Sequence, residues 1–204
     1  MKVDIETAKL YYGFPVYLIG YKDKNFGYNI TTGSSSYSLG DMLVMGVSSQ
    51  SNACQQIKTY KQFTLNLVTE EMGLEADQAG WVSRRDKLSL TGLDYQISEK
   101  IDAPLITQSP LSIECQVETI AEFGSYTNFT ARILGRQLEN SLLTDHYLQN
   151  DKLLPLLYTG DGRKRTYRYM TEQTKSSGSY LKQAKNKRRN NNERTFTKIQ
   201  SSRG

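Results

Sequence analysis

Three short polar segments hold the residue types with which this chain could do chemistry. They are Asn29-Ile30-Thr31-Thr32-Gly33-Ser34-Ser35-Ser36, Ser48-Ser49-Gln50-Ser51-Asn52 and Ser83-Arg84-Arg85-Asp86-Lys87. The second joins a strand-like run to a helix-like one. Its hydroxyls, together with first-turn N–H groups and the positive end of a helix dipole, would suit a phosphate. A plain N-cap with polar turn residues explains the same residues. The third packs three cations and a hydroxyl beside the only tryptophan, Trp81, and reads as an anion contact or a solvated charged face. Common catalytic signatures are absent: there is no phosphate-binding loop, dinucleotide fingerprint, nucleophile elbow or zinc-protease helix motif. One histidine, His146, in a polar stretch, leaves a Ser-His-Asp triad without support and reads as a surface residue. Two cysteines, Cys54 and Cys115, cannot build a disulfide framework or, with one histidine, a zinc site. No structural metal is expected.

The elements that must position these segments are mainly strands. Residues 14–21 are β-branched and aromatic, and a polar loop ending in Gly27 leads to residues 28–32, which reads as a β-hairpin. Residues 42–48, 63–68 and 111–120 form further strand-like runs, with 129–137 a weaker one. The run 111–120 alternates apolar and polar residues, the pattern of a strand with one wet face, and places Cys115 in the core. Helices are expected over 52–61, capped by Ser51 or Asn52, and over 74–80. This order favours an antiparallel barrel with accessory helices.

The net charge of +5 is unevenly placed. From Lys175 onward there are nine basic residues and one acid, leaving 17 basic and 20 acidic residues in the body. The mildly acidic body, 1–174, is therefore expected to be the folded domain and 175–204 a basic low-complexity extension. With only Tyr180 and Phe196 in that extension, stacking on nucleic acid has little support. No apolar run approaches a membrane span, and the first residues lack a signal peptide's apolar stretch, so a soluble cytoplasmic protein is expected.

Taken in order, the runs Phe14-Pro15-Val16-Tyr17-Leu18-Ile19-Gly20, Tyr28-Asn29-Ile30-Thr31-Thr32, Phe63-Thr64-Leu65-Asn66-Leu67, Ala79-Gly80-Trp81-Val82-Ser83-Arg84-Arg85-Asp86-Lys87-Leu88 and Ile101-Asp102-Ala103-Pro104-Leu105-Ile106 resemble the flavin reductase-like family. The similarity continues through Phe123-Gly124-Ser125 to Leu153-Leu154-Pro155-Leu156-Leu157-Tyr158. The resemblance implies a mainly β, antiparallel Greek-key split β-barrel with accessory helices that binds FMN, and a homodimer with each flavin near the subunit interface. It also implies roles by position: Asn29, Thr32 and Ser34 beside the flavin ring, Ser49, Ser51 and Asn52 in the phosphate turn, and Ser83, Arg85 and Lys87 closing over the phosphate and ribityl chain. Relatives often carry a basic residue in the phosphate turn, which this chain lacks, so phosphate charge falls to Arg85 and Lys87. Where relatives often place a histidine after the Gly-Ser corner, this chain has Tyr126.

The activity so implied is NAD(P)H-dependent flavin reduction, in which N5 of the flavin takes the hydride and passes it to free flavin or another acceptor. Such chemistry needs no histidine base and no metal, and no catalytic side chain is singled out. The alternative is a flavin-binding electron carrier reduced by a protein partner, without NAD(P)H activity.

Overall fold

The computed structural model describes residues 1–7 and 9–185 of the 204-residue chain. The chain divides into two compact units, Met1–Met170 and Thr171–Gly204. In the second, residues 179–185 are helical; the rest of the expected basic extension, 186–204, lies outside the described residues.

The first unit contains β1 (Leu10–Pro15), β2 (Tyr17–Asp23), β3 (Gly27–Gly33), β4 (Ser36–Leu39), β5 (Met42–Ser48), α1 (Asn52–Tyr60), β6 (Gln62–Leu67), α2 (Gly73–Trp81) and α3 (Lys87–Thr91). There follow β7 (Tyr95–Ile97), β8 (Pro104–Ile106), β9 (Leu111–Phe123), β10 (Tyr126–Leu138), β11 (Leu143–Thr144), β12 (Tyr147–Leu148), β13 (Leu157–Asp161) and β14 (Arg165–Arg168). Seven strands make one antiparallel sheet in the order β3-β2-β6-β9-β10-β5-β4. It is the split barrel expected from the sequence, with β3 and β4 at its two edges. A Gly46 N–H to Ser35 carbonyl bond of 2.8 Å stitches the connection after β3 to β5.

β2 is buried on both faces, which its unbroken apolar run reflects. Tyr17, Ile19 and Tyr21 pack inside the barrel with Met45, Phe63 and Phe129, while Leu18 packs on the other face with Ala76, Ala79 and Leu88 of α2 and α3. The run 14–21 is not one strand. Pro15 has no N–H to continue a ladder, and at Val16 the chain changes sheets. β1 pairs with β13, whereas Val16 bonds to Leu156 and Val68 and β2 joins β3 and β6.

The alternation of β9 does not give a wet face along its first half. Ser112 is 5% and Glu114 1% exposed, because the segment carrying β7 and β8 covers them. Ser112 donates to Asn66 Oδ1 at 2.7 Å and Ser98 to Glu114 Oε1 at 2.5 Å. Strands β13 and β14 were not expected. Both are short, and Gly160 sits in their pairing at φ 123°. No described helix is long and apolar enough to cross a membrane.

Gly20 lies where this covering segment crosses β2. A Cβ there would stand 2.4 Å from both Pro104 O and Thr64 Oγ1. Gly20→Ala is expected to lower stability by about 1–3 kcal/mol through overpacking, measured as a lower urea midpoint with an unchanged slope.

Candidate functional site

The far ends of β3 and β5, the start of β10 and the β1 segment enclose a groove of about 640 Å³. Thr31, Thr32, Gly33 and Ser34 form one wall; Ser48 and Ser51, with Tyr126 and Asn128 of β10, form another; Tyr11, Tyr12 and Phe14 stand opposite. Ser51 begins α1. Its Oγ accepts the Cys54 N–H at 3.1 Å and donates to Ser48 O at 2.8 Å. The N–H groups of Asn52 and Ala53 have no intrahelical acceptor, as in any helix first turn, and the positive end of the helix dipole lies at Ser51. Polar hydroxyls and a helix start on one wall, with aromatic rings on the other, suit a ligand that is both planar and phosphorylated.

What holds these walls together is a buried network that the sequence did not reveal. Asp23, at the end of β2, is 1% exposed. Its Oδ1 accepts the Asn25 N–H at 2.9 Å, and its Oδ2 accepts the side-chain amides of Asn29 at 3.2 Å and Asn52 at 2.6 Å. Asn29, wholly buried, also donates to Arg85 O at 2.9 Å, and its Oδ1 accepts the N–H groups of Ile30 at 2.9 Å and Lys87 at 3.0 Å. The three polar segments picked out from sequence are thus tied to one another through one carboxylate and two amides.

Around this network the expected site residues take different positions. Asn29 does not line the groove, because its donors and acceptor are fully engaged inside the protein. The Asn52 amide is likewise engaged, donating to Asp23 and accepting from Gln56. Ser49 turns to Thr127, with the hydroxyl oxygens 2.8 Å apart. Ser83 and Arg85 are exposed and stand outside the groove walls. Of the expected set, Thr32, Ser34 and Ser51 reach the groove. Thr32 is also fixed from behind, donating to Ala76 O at 2.5 Å.

Lys87 is 5% exposed, and its ammonium donates to Ala79 O at 2.6 Å and to Thr31 Oγ1 at 2.9 Å. It therefore sits one side chain behind the groove wall. Among the described residues no carboxylate lies within ion-pair distance of it. Burial without a counter-charge pushes its pKa down to about 8.

Sequence reasoning also missed the aromatic wall of β1 and the contribution of Asn128; only Tyr126 carried a signal, as the residue after the Gly-Ser corner. A separate cavity of about 510 Å³ is walled by Glu70, Glu71, Glu75 and Glu139, with Lys152 as its one basic residue. That charge repels a phosphate, so it does not compete as the anion site. Cys54 and Cys115 are buried and free, and burial pushes the Cys115 thiol up to about 12, so it is unreactive. His146 is exposed. Among the described residues no group of acids, cysteines and histidine could hold a metal ion.

The sequence matches the model of the flavin reductase like domain over residues 10–167. An uncharacterized protein of Bacillus subtilis (strain 168), YdfE, is 24% identical over 175 residues, covering 76% of this chain and 84% of the relative. Among solved structures, the flavoredoxin of Methanosarcina acetivorans superposes with a TM-score of 0.79 at 24% identity, covering 89% of this chain and 99% of that one. An FMN-binding protein from Thermus thermophilus superposes with a TM-score of 0.71 at 16% identity, covering 86% and 98%. At these identities the structural likeness establishes the fold.

Two outcomes are expected from this framework. Asn29→Ala strips partners from the buried Asp23 carboxylate and the buried N–H groups of Ile30 and Lys87, each such loss costing about 1–3 kcal/mol, so its urea midpoint falls well below that of an exposed Ser83→Ala control. The second concerns Lys87, whose folded-state pKa of about 8 lies below the ordinary lysine value of 10.5. Across that interval the unfolded chain binds more protons, so this group's contribution to stability rises with pH. Between about pH 7 and about pH 9.5 the wild type should therefore gain stability relative to Lys87→Met in paired denaturant titrations.

Proposed function

Because the chain belongs to the flavin reductase-like family, we propose that it is an FMN-dependent oxidoreductase that takes electrons from NAD(P)H and passes them to free flavin or another small acceptor. The observation that carries this reading is the convergence of Thr32, Ser34 and Ser51 on one groove that also holds the start of α1 and an aromatic wall. Thr32 and Ser34 would meet the polar edge of the ring, and the first-turn N–H groups would meet the phosphate together with the Ser51 hydroxyl. That hydroxyl would turn its proton from Ser48 O to do so while still capping Cys54. Lys87 would supply positive charge from behind Thr31, in place of a basic residue in the turn. Asn29, Asn52 and Ser49 hold the frame, and Ser83 and Arg85 are assigned no direct contact.

Bound there, a flavin supplies a ring that can accept a hydride and release electrons in one- or two-electron steps. The protein's part is to orient that ring and to leave a face open. The groove fits this task, since its walls offer hydrogen bonds and rings and hold no buried acid–base pair. A homodimer accords with the exposed aromatic rim, where Tyr12 is 76%, Phe123 79% and Tyr126 45% exposed. That open rim also favours a second reading, an electron carrier whose flavin is reduced by a protein docked on the same face. Rapid mixing of the FMN-loaded protein with NADH and NADPH separates the two. Reduction on the timescale of turnover supports the reductase, and reduction by dithionite alone supports the carrier.

The phosphate assignment makes a sharper demand. The protein should bind FMN in preference to FAD, and Ser51→Ala should weaken FMN by about 5-fold or more beyond any change in riboflavin, which has no phosphate. Any loss of helix capping lowers both affinities together, so the FMN-to-riboflavin ratio, measured by flavin fluorescence titration, isolates the phosphate contact.

A further inference from the structure

Beside the groove lies a second cavity of about 250 Å³, bounded by α2, β1 and the β13–β14 hairpin. We propose that it is a binding site for a planar aromatic monocarboxylate. Four aromatic side chains, Tyr11, Tyr158, Tyr167 and Trp81, line it. The rings of Tyr11 and Tyr158 are 5.0 Å apart and those of Tyr158 and Tyr167 5.5 Å, so they form a continuous wall against which another ring can stack or meet edge to face.

Two charged residues complete the lining. Arg165 and Tyr167 point to the same side of β14, since they are two residues apart in a strand. Among the described residues, no carboxylate lies within ion-pair distance of Arg165. Its planar guanidinium is therefore available to take a carboxylate in two-point contact. The opposing acid, Asp77, is held by the Tyr167 hydroxyl, which donates to Asp77 Oδ1 at 2.6 Å. With Asp77 engaged by Tyr167, Arg165 is the one cation in the lining and matches a single carboxylate rather than the several charges of a polyphosphate. The volume admits a ligand of one or two rings and not a dinucleotide.

The cavity shares Tyr11, Thr32, Gly33 and Ser34 with the larger groove. A ligand seated in it would lie against the same wall as the proposed flavin. That it reacts there rests on the flavin reading, whereas its binding does not.

Trp81 is the only tryptophan of the chain, is 80% exposed and lines this cavity, so its emission reports occupancy of the full-length protein directly. Benzoate and benzyl alcohol serve as charged and neutral probes, with FMN titrated separately by its own fluorescence. The expected result is saturable quenching or shift by benzoate, at affinity about 10-fold or more above benzyl alcohol. Arg165→Gln should abolish that preference, Arg165→Lys should keep part of it, and both should leave FMN affinity within about 2-fold of wild type. The proposal is overturned by the absence of saturation, by an unchanged preference in Arg165→Gln, or by equal losses of benzoate and FMN affinity in that variant. Benzoate binding by a protein that takes up no FMN would support the cavity and remove the flavin reading instead.

Discussion

Asp23 is a carboxylate taken almost entirely out of water at the end of β2, and its compensation comes from N–H donors of Asn25, Asn29 and Asn52. Among the described residues it makes no ion pair. Removing a charge from water without such donors costs several kcal/mol, so the amides must be in place for β2 to end where it does. Directional bonds from three chain segments to one small group also fix those segments relative to each other. The start of α1, the length of β3 and the segment before α3 acquire their positions from this constraint, and the groove is the space left between them.

The architecture was legible where local pattern and long-range packing agree. The hairpin of β2 and β3, the helices α1 and α2 and the strands β5, β6, β9 and β10 all lie where apolar runs and turn residues placed them, because each buries its own apolar residues. Legibility failed where a residue's surroundings come from elsewhere in the chain. The polar positions of β9 look solvated until β7 and β8 are laid over them. The break at Val16 depends on a partner strand near residue 157, more than a hundred residues away.

The same distinction runs through the candidate site. Hydroxyl-rich turns are visible in sequence because Ser, Thr and Gly mark strand ends and helix caps, and Ser51 caps α1 as its position suggests. Which face each polar side chain takes is not visible. Asn29 and Asn52 have the composition of ligand contacts, yet both turn inward because a buried carboxylate outcompetes solvent for their amides. Asp23 gave no signal, since an acid beside Lys22, Lys24 and Asn25 reads as part of a polar loop. Lys87 was recognised as a cation, but only the fold shows that it lies beneath the surface.

Thr32 and Lys87 both hold α2, one donating to the carbonyl of Ala76 midway along it and the other to that of Ala79 in its last turn. A nine-residue helix is too short to persist alone in water, and the carbonyls of its last turn have no acceptor role inside the helix. Lys87, which also holds Thr31 of the groove wall, therefore completes the helix, and Thr32 ties the middle of the helix to the same wall. The two can open only as one cooperative unit, so amide protons in the last turn of α2 and those along the far end of β3 should exchange with solvent at a common rate. Any ligand that orders the groove would slow that shared exchange at both places, including in a helix it does not touch.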